Sequence, residues 1–150
     1  MRSTVYFTRD LAPTAMLRLY DALGVALEGK VAVKLHSGEV GNQNFLRPDF
    51  MKPMIDKVGG TIVECNTAYE GSRDTTKAHW ETMESHGWTA IAPVDIMDEE
   101  GELELPIPCG KRISKDFVGA HLTRYDSLLV LSHFKGHPMG GFGGALKNIS

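Results

Sequence analysis

Cysteine is scarce in this chain, and the cysteines present are widely separated. Cys65 and Cys109 are the only two among its 150 residues, and neither belongs to a Cys-x-x-Cys pair. Disulfide frameworks and four-thiolate metal sites need more cysteines at closer spacing, so we expect neither. Two reduced and mostly buried thiols are the expectation.

The sequence also lacks an excess of basic residues and any long apolar segment. Its 16 Lys and Arg against 19 Asp and Glu give a formal net charge of −3, which argues against a general nucleic-acid binder. No segment approaches the roughly 18 consecutive apolar residues of a membrane span, and the N-terminus does not resemble a signal peptide. We therefore expect a cytoplasmic protein that binds neither nucleic acid nor membrane.

Short apolar runs alternate with amphipathic segments along the chain, which predicts an α/β fold. Three layers are expected: a mostly parallel sheet, helices on both of its faces, and a small β-hairpin excursion. One such domain accounts for residues 1–150. The predicted strands are 4–7, 30–36, 61–65, 89–94 and 127–132, the predicted helices 13–27, 48–58, 75–86 and 115–121, and the predicted hairpin 102–113.

Residues 133–150, directly after the last predicted strand, are the most informative stretch. They place His133, Lys135, His137 and Lys147 among four closely spaced glycines, Gly140, Gly141, Gly143 and Gly144. Such glycines indicate positive φ angles or a close approach of the backbone. A helix opened by Gly143 or Gly144 through 145–149 would turn its N–H groups toward an anion. The alternative is a flexible surface loop.

Polar side chains also follow the other predicted parallel strands. His36 ends the second strand, and Asn66 and Thr67 follow the third. Because ligands of such sheets bind beyond the carboxyl ends of the strands, these residues are expected to share a crevice with residues 133–147.

The residue types in this crevice suggest roles. His36, His133 and His137 are the candidates for acid/base chemistry, and Lys135 and Lys147 for holding a carboxylate or phosphate. A zinc, iron or nickel ion held by the three histidines is the alternative. It is less favoured, since His133 and His137 lie in a loop rather than one helical turn apart.

Other charged residues are weighed in the same way. Arg47 and Arg73 are candidates for binding an anion through their guanidinium groups, with a surface ion pair as the alternative. His79, His86 and His121 are expected to be ordinary residues, the first two on solvated helix surfaces, and are assigned no role.

Three blocks of the sequence resemble the bacterial and archaeal family called domain of unknown function 362. They are residues 33–42 with 46–48, residues 64–73, and residues 133–148. These blocks also contain Asn42 and Asn148, which join the candidate ligand-binding residues. The resemblance covers nearly the whole chain and implies no settled reaction.

Longer members of that family often carry a ferredoxin-like segment with [4Fe–4S] clusters. The cysteines for such clusters are missing here, so iron–sulfur binding is not carried over and the cofactor is unknown. The resemblance leaves open that the chain is the amino-terminal part of a longer architecture. A second copy or a ferredoxin-like partner would then complete it.

A weaker similarity links His137 and Lys147 to the lactate racemase family. There a histidine moves a proton and a lysine anchors a nickel-pincer cofactor, which implies the same two roles for His137 and Lys147.

Together these features predict a small-molecule enzyme domain of isomerase or oxidoreductase type. It would bind an anionic organic ligand or cofactor at the carboxyl ends of the strands and use histidine acid/base chemistry. The alternatives are a non-catalytic ligand-binding or electron-transfer partner module, and an incomplete fragment without activity of its own.

Overall fold

Short strands and short helices alternate along the protein. The computed structural model describes residues 3–138 and 140–149. The strands are β1 (Val31–Lys34), β2 (Thr61–Glu64), β3 (Val94–Ile96), β4 (Glu102–Pro106), β5 (Lys115–Gly119), β6 (Ser127–Val130), β7 (Lys135–His137) and β8 (Gly141–Gly143). The helices are α1 (Pro13–Leu23), α2 (Pro48–Val58), α3 (Thr76–Ser85), a 3-10 helix (Ala120–Arg124) and α4 (Ala145–Asn148).

Four of the strands form a parallel sheet in the order β3-β2-β1-β6. In register, β1 pairs with β2 through Val33 and Ile62 and with β6 through Val33 and Leu129. The two central strands are buried over almost their whole length, as expected for strands covered on both faces. The predicted mostly parallel sheet is confirmed.

Helices flank both faces of this sheet, but they cover them unequally. On the first face, Val31, Val33 and Ile62 pack into one core with apolar side chains of α1, α2 and α3. On the second face, Ala32, Val63 and Met97 pack against Leu122 and Tyr125, in and next to the 3-10 helix. Since that helix is a single short element, Leu128 of β6 remains 43% exposed.

Helix boundaries follow proline and glycine. Pro13 and Pro48 open α1 and α2, where the missing N–H of proline has no intrahelical partner to lose. Gly24 and Gly59 end them with left-handed φ angles of 64° and 60°. The prediction for α2 is confirmed, whereas α1 ends at Leu23 rather than residue 27, because Gly24 adopts a conformation that side chains disfavour.

The predicted first strand at residues 4–7 is wrong. The structure describes these residues and assigns them to no strand, and Val5 and Phe7 are 84% and 80% exposed. Both sides of the central strand β1 are occupied by β2 and β6. The short apolar run at the N-terminus therefore does not pair with β1, and it adds to neither edge strand, β3 or β6.

The fourth predicted strand lies later than expected. Residues 89–92 form turns after α3, with Ile91 N donating to Trp88 O at 3.2 Å, and the strand runs from Val94 to Ile96. An apolar run alone did not locate this strand, because Trp88 and Ile91 enter the core from turns instead.

A hairpin is present near the predicted position, but its second strand replaces a predicted helix. β4 and β5 pair antiparallel from Glu102 opposite Gly119 to Pro106 opposite Lys115. The helix predicted at 115–121 is therefore wrong, and the 3-10 helix begins only after Gly119. Pairing with β4, including an ion pair of 2.8 Å between Lys115 and Glu104, outweighs the local helical tendency.

The glycine-rich segment after β6 also contains a hairpin where a loop was expected. β7 and β8 pair antiparallel, with His137 opposite Gly141. Of the four glycines discussed above, all within the described residues, only Gly141 has a positive φ, of 66°. The predicted helix at 145–149 forms as α4, which is four residues long.

Candidate functional site

A cleft of about 740 Å³ opens at the carboxyl ends of the parallel strands. All four strand ends face this edge because the strands run in one direction. Side chains from the second face of the sheet, from β4–β5 and from residues 143–149 line the cleft. Its volume falls within the roughly 300–1,000 Å³ that is typical of small-molecule sites.

The structure brings most of the predicted site residues together in this cleft. Distant segments of the chain contribute them, and the predicted residues that line it are His36, Asn66, Thr67, Arg73, His133, Gly143, Gly144, Lys147 and Asn148.

Other predicted site residues do not line the cleft. Asn42 accepts a hydrogen bond from Asn44 N at 2.7 Å. Arg47 is exposed, donates to Gln43 O at 2.7 Å and lies over the Phe45 ring.

The tip of the β7–β8 hairpin is also outside the cleft. His137 Nδ1 accepts a hydrogen bond from Gly140 N at 3.0 Å, and Gly141, with its positive φ, begins β8. Lys135 lies at the margin, with its Nζ 3.4 Å from His36 Nε2.

His36 is held as a neutral imidazole. Burial, together with the nearby positive charges of Arg73 and Lys135, lowers its pKa to about 4. Gly38 N donates to His36 Nδ1 at 3.0 Å, which assigns the single proton of the neutral ring to Nε2. His36 can therefore offer an N–H group to a ligand, whereas its basic nitrogen is already engaged.

A buried ion pair between Lys34 and Glu64 forms part of the cleft floor. Lys34 Nζ donates to Glu64 Oε2 at 2.7 Å, to Leu35 O at 3.0 Å and to Asn148 Oδ1 at 3.0 Å. All three ammonium protons of Lys34 are thus used within the protein. Burial alone would raise the pKa of Glu64, but Lys34 and Arg73 outweigh it and lower that pKa.

Neither member of this pair was identified from the sequence. Lys34 and Glu64 each interrupt an apolar strand with one charged residue. A charged residue within each of two apolar strands predicted to be neighbours was the sequence signal that could have indicated this ion pair.

Arg73 is committed to carboxylates of the protein itself. Its side chain is 5% exposed, its Nε donates to Glu39 Oε1 at 3.1 Å, and its second terminal nitrogen also contacts that oxygen. Burial would lower the pKa of Arg73, but the hydrogen bonds to Glu39 and the charge of Glu64 raise it. Arg73 thus reaches the cleft with its charge largely compensated.

Asn66 is held in place by α3 and by the loop after β3. Its backbone N–H donates to the Asp98 carboxylate at 3.0 Å, and its side-chain amide donates to Thr76 Oγ1 at 3.0 Å. Asn66 Oδ1 lies 3.3 Å from Nδ1 of His79, which is fully buried. The expectation that His79 lies on a solvated surface is therefore wrong, since the loop after β2 covers this side of α3.

The cysteines do not fit the [4Fe–4S] cluster of longer family members. Such a cluster needs four thiolates, whereas Cys65 lines the cleft and Cys109 is exposed in the β4–β5 turn. Burial and the charge of Asp98 raise the pKa of Cys65 to about 11. Its thiol is therefore protonated at neutral pH and a weak nucleophile.

A cluster with metal-ligating residue types lies on the second face of the sheet. Ligand atoms of Asp95, Glu99 and His121 lie within 4.8 Å of one another. His121, however, has Nδ1 at 2.6 Å from Asp95 and Nε2 at 3.0 Å from Glu100. Because both nitrogens of His121 lie near carboxylates and the hydrogen bond to Asp95 raises the pKa of His121, we interpret this cluster as an ion-pair network.

Within residues 3–138 and 140–149, no helix is long and apolar enough to cross a membrane.

Comparison with known proteins places the chain in a family without naming a reaction. No curated protein and no solved structure matches the chain, and the similarity to the lactate racemase family is not shown. One family model, described as a domain of unknown function (DUF362), matches residues 31–150. That match includes every strand of the parallel sheet and every residue described above as lining the cleft, so the chain belongs to the DUF362 family.

Proposed function

We propose that the cleft binds a small organic anion, a carboxylate or a phosphate, at the carboxyl ends of the strands. This proposal rests on one observation: His36, His133 and Lys147, which come from separate segments, all line one cleft of ligand size. A neutral imidazole N–H and a lysine ammonium are both donors to an anion, and the lysine adds charge attraction. No acceptor role is needed from any of them.

Charged residues of both signs line the cleft. Lys34 and Arg73 are neutralised by Glu64 and Glu39, so they contribute little net field. Lys147 lines the cleft and brings an ammonium group to this edge. The acidic residues Asp98, Glu102 and Asp116 also line the cleft, the first in the loop after β3 and the other two on the β4–β5 hairpin.

For proton transfer, the cleft favours His133 over the other predicted histidines. His133 lines the cleft. In contrast, the basic nitrogens of His36 and His137 each accept a backbone hydrogen bond. We therefore assign His133 as the acid/base group of an isomerase or oxidoreductase type of reaction. The alternative is a domain that binds the ligand without turning it over. A cytoplasmic location stays a prediction from the sequence.

Titration calorimetry with inorganic phosphate and with malonate tests the binding. Lys147→Ala is expected to weaken binding about tenfold through loss of a charge-assisted contact. Lys77→Ala removes the same charge from a side chain that is 90% exposed on α3 and is expected to have no effect. Equal effects of the two variants, or no binding of either anion, would contradict the proposal.

Deuterium incorporation from D2O into bound carboxylic acids, followed by NMR, distinguishes an enzyme from a ligand-binding module without turnover. Incorporation that is lost in His133→Gln supports the acid/base role. Binding without incorporation across a panel of carbon acids supports the module.

A further inference from the structure

Apolar as well as polar side chains line the cleft. Leu128, Phe117 and Ile113 line it, and they are 43%, 53% and 58% exposed. Met97 and Leu122 also contribute apolar surface. Polar residues of the strand ends line the same cleft, so its lining is divided between apolar and polar side chains.

The apolar wall follows from the way the second face of the sheet is covered. Leu128 lies opposite Ala32 in the β1–β6 register and shares that face with Lys34. The 3-10 helix covers the part of this face around Val63 and Met97. The part around Leu128 stays exposed and forms part of the apolar wall of the cleft.

Gly119 brings the β4–β5 hairpin against Met97, directly after β3. A Cβ atom at residue 119 would lie 2.7 Å from the backbone carbon of Met97, so a side chain there would push the hairpin away. His121 N also donates to Met97 O at 3.0 Å. Phe117 and Val118, directly before Gly119, are thereby placed along the cleft.

From this division we infer that the natural ligand is an organic anion with an aromatic or branched aliphatic body. The anionic group would lie toward Lys147 and His36, and the body would cover Leu128 and Phe117. The volume of about 740 Å³ exceeds the need of a bare inorganic anion, and the exposed apolar side chains gain from being covered. This inference rests on the proposed anion-binding function.

Methyl phosphate and phenyl phosphate form a matched pair of probes, because they carry the same head group and differ in the body. Calorimetry on the whole chain is expected to show phenyl phosphate binding about tenfold more tightly, since the ring buries apolar surface of the cleft. Phe117→Ala and Leu128→Ala should each reduce this ratio about threefold or more. Phe7→Ala, at a phenylalanine that is 80% exposed and outside the cleft, should leave it unchanged.

The outcomes separate this inference from the function on which it rests. Equal affinity for the two probes, or an unchanged affinity ratio in both cleft variants, contradicts the inference of an apolar ligand body but leaves the proposed anion site in place. Failure of both probes to bind overturns the anion site as well. Circular dichroism of Phe117→Ala and Leu128→Ala checks that the fold is intact, which is expected because both side chains are half exposed.

Discussion

Histidine titration in this protein is decided by neighbouring side chains. Burial and nearby cations keep His36 neutral, with a pKa of about 4. His121 is buried on the second face of the sheet, but its hydrogen bond to Asp95 raises its pKa. The same residue type therefore has a lowered pKa at the cleft and a raised pKa on the second face of the sheet.

His36 leads to a prediction about the pH dependence of anion binding. Because its pKa lies near 4, His36 does not gain a proton between about pH 6 and pH 8. The affinity for sulfate, whose own charge is constant over this range, should follow the same pH curve in the wild type and in His36→Gln. Gln retains an N–H donor, so affinity should fall less than about threefold, whereas His36→Ala should lose more.

Calorimetry at several pH values measures both curves. A wild-type affinity that rises steeply below pH 7, with the rise missing in His36→Gln, would show that His36 titrates near its ordinary value.

The short helix α4 depends for its stability on a contact with the parallel sheet. A helix of four residues is unstable alone, and its described backbone bonds are few, among them Asn148 N to Gly144 O at 3.0 Å. The hydrogen bond from Lys34 Nζ to Asn148 Oδ1 ties the end of α4 to β1. The wall of the cleft that contains Lys147 is therefore positioned by a buried lysine of the sheet.

Asn148→Ala should loosen α4 while leaving the sheet intact. Loss of about 1 kcal/mol from one hydrogen bond corresponds to about fivefold faster exchange of the α4 amides. Hydrogen–deuterium exchange with mass spectrometry measures this for residues 145–149 against residues 31–34. Asn44→Ala, which removes an exposed amide far along the chain from α4, is the matched control, and the same exchange rates in both variants would contradict the role of Asn148.

Element boundaries were predictable where proline and glycine determine them locally. α2 runs from Pro48 to Val58 as expected, because Pro48 at its start and Gly59 directly after its end act through their own backbone. The β4–β5 and β7–β8 hairpins depend instead on pairing between segments. No pattern within residues 115–121 or 135–143 carried that information.

On the scale of the whole molecule, one ion-pair cluster joins the 3-10 helix to the sheet. His121 contacts Asp95 of β3 and Glu100, and Tyr125 donates to Asp95 at 2.7 Å. The hydrogen bond to Asp95 raises the pKa of His121, so protonation of His121 stabilises this arrangement.

The raised pKa of His121 gives the stability of the protein a defined pH dependence. A group whose pKa is higher in the folded state stabilises fully below its unfolded value of 6.5 and loses this contribution as the pH rises through the folded pKa. The melting temperature of the wild type should therefore fall over that interval relative to His121→Gln. A loss of about 1 kcal/mol corresponds to about 2–4 °C in a domain of this size.

Thermal unfolding followed by circular dichroism across a pH series measures this difference. Asp95→Asn, which removes the main partner of His121, should abolish the same pH dependence. A constant difference in melting temperature between wild type and His121→Gln at all pH values would contradict the role of the ion pair.

Local chemistry in the sequence determined the class of the fold, the proline- and glycine-bounded helices and the strand ends where polar residues gather. These features depend on backbone preferences and on the alternation of apolar and polar residues, which act over a few positions. Only the tertiary structure decided that Lys34 and Glu64 neutralise each other, that Asn42 and Arg47 stay outside the cleft, and that Leu128 remains open. Such outcomes depend on distances between segments far apart in the chain, which short-range patterns do not encode.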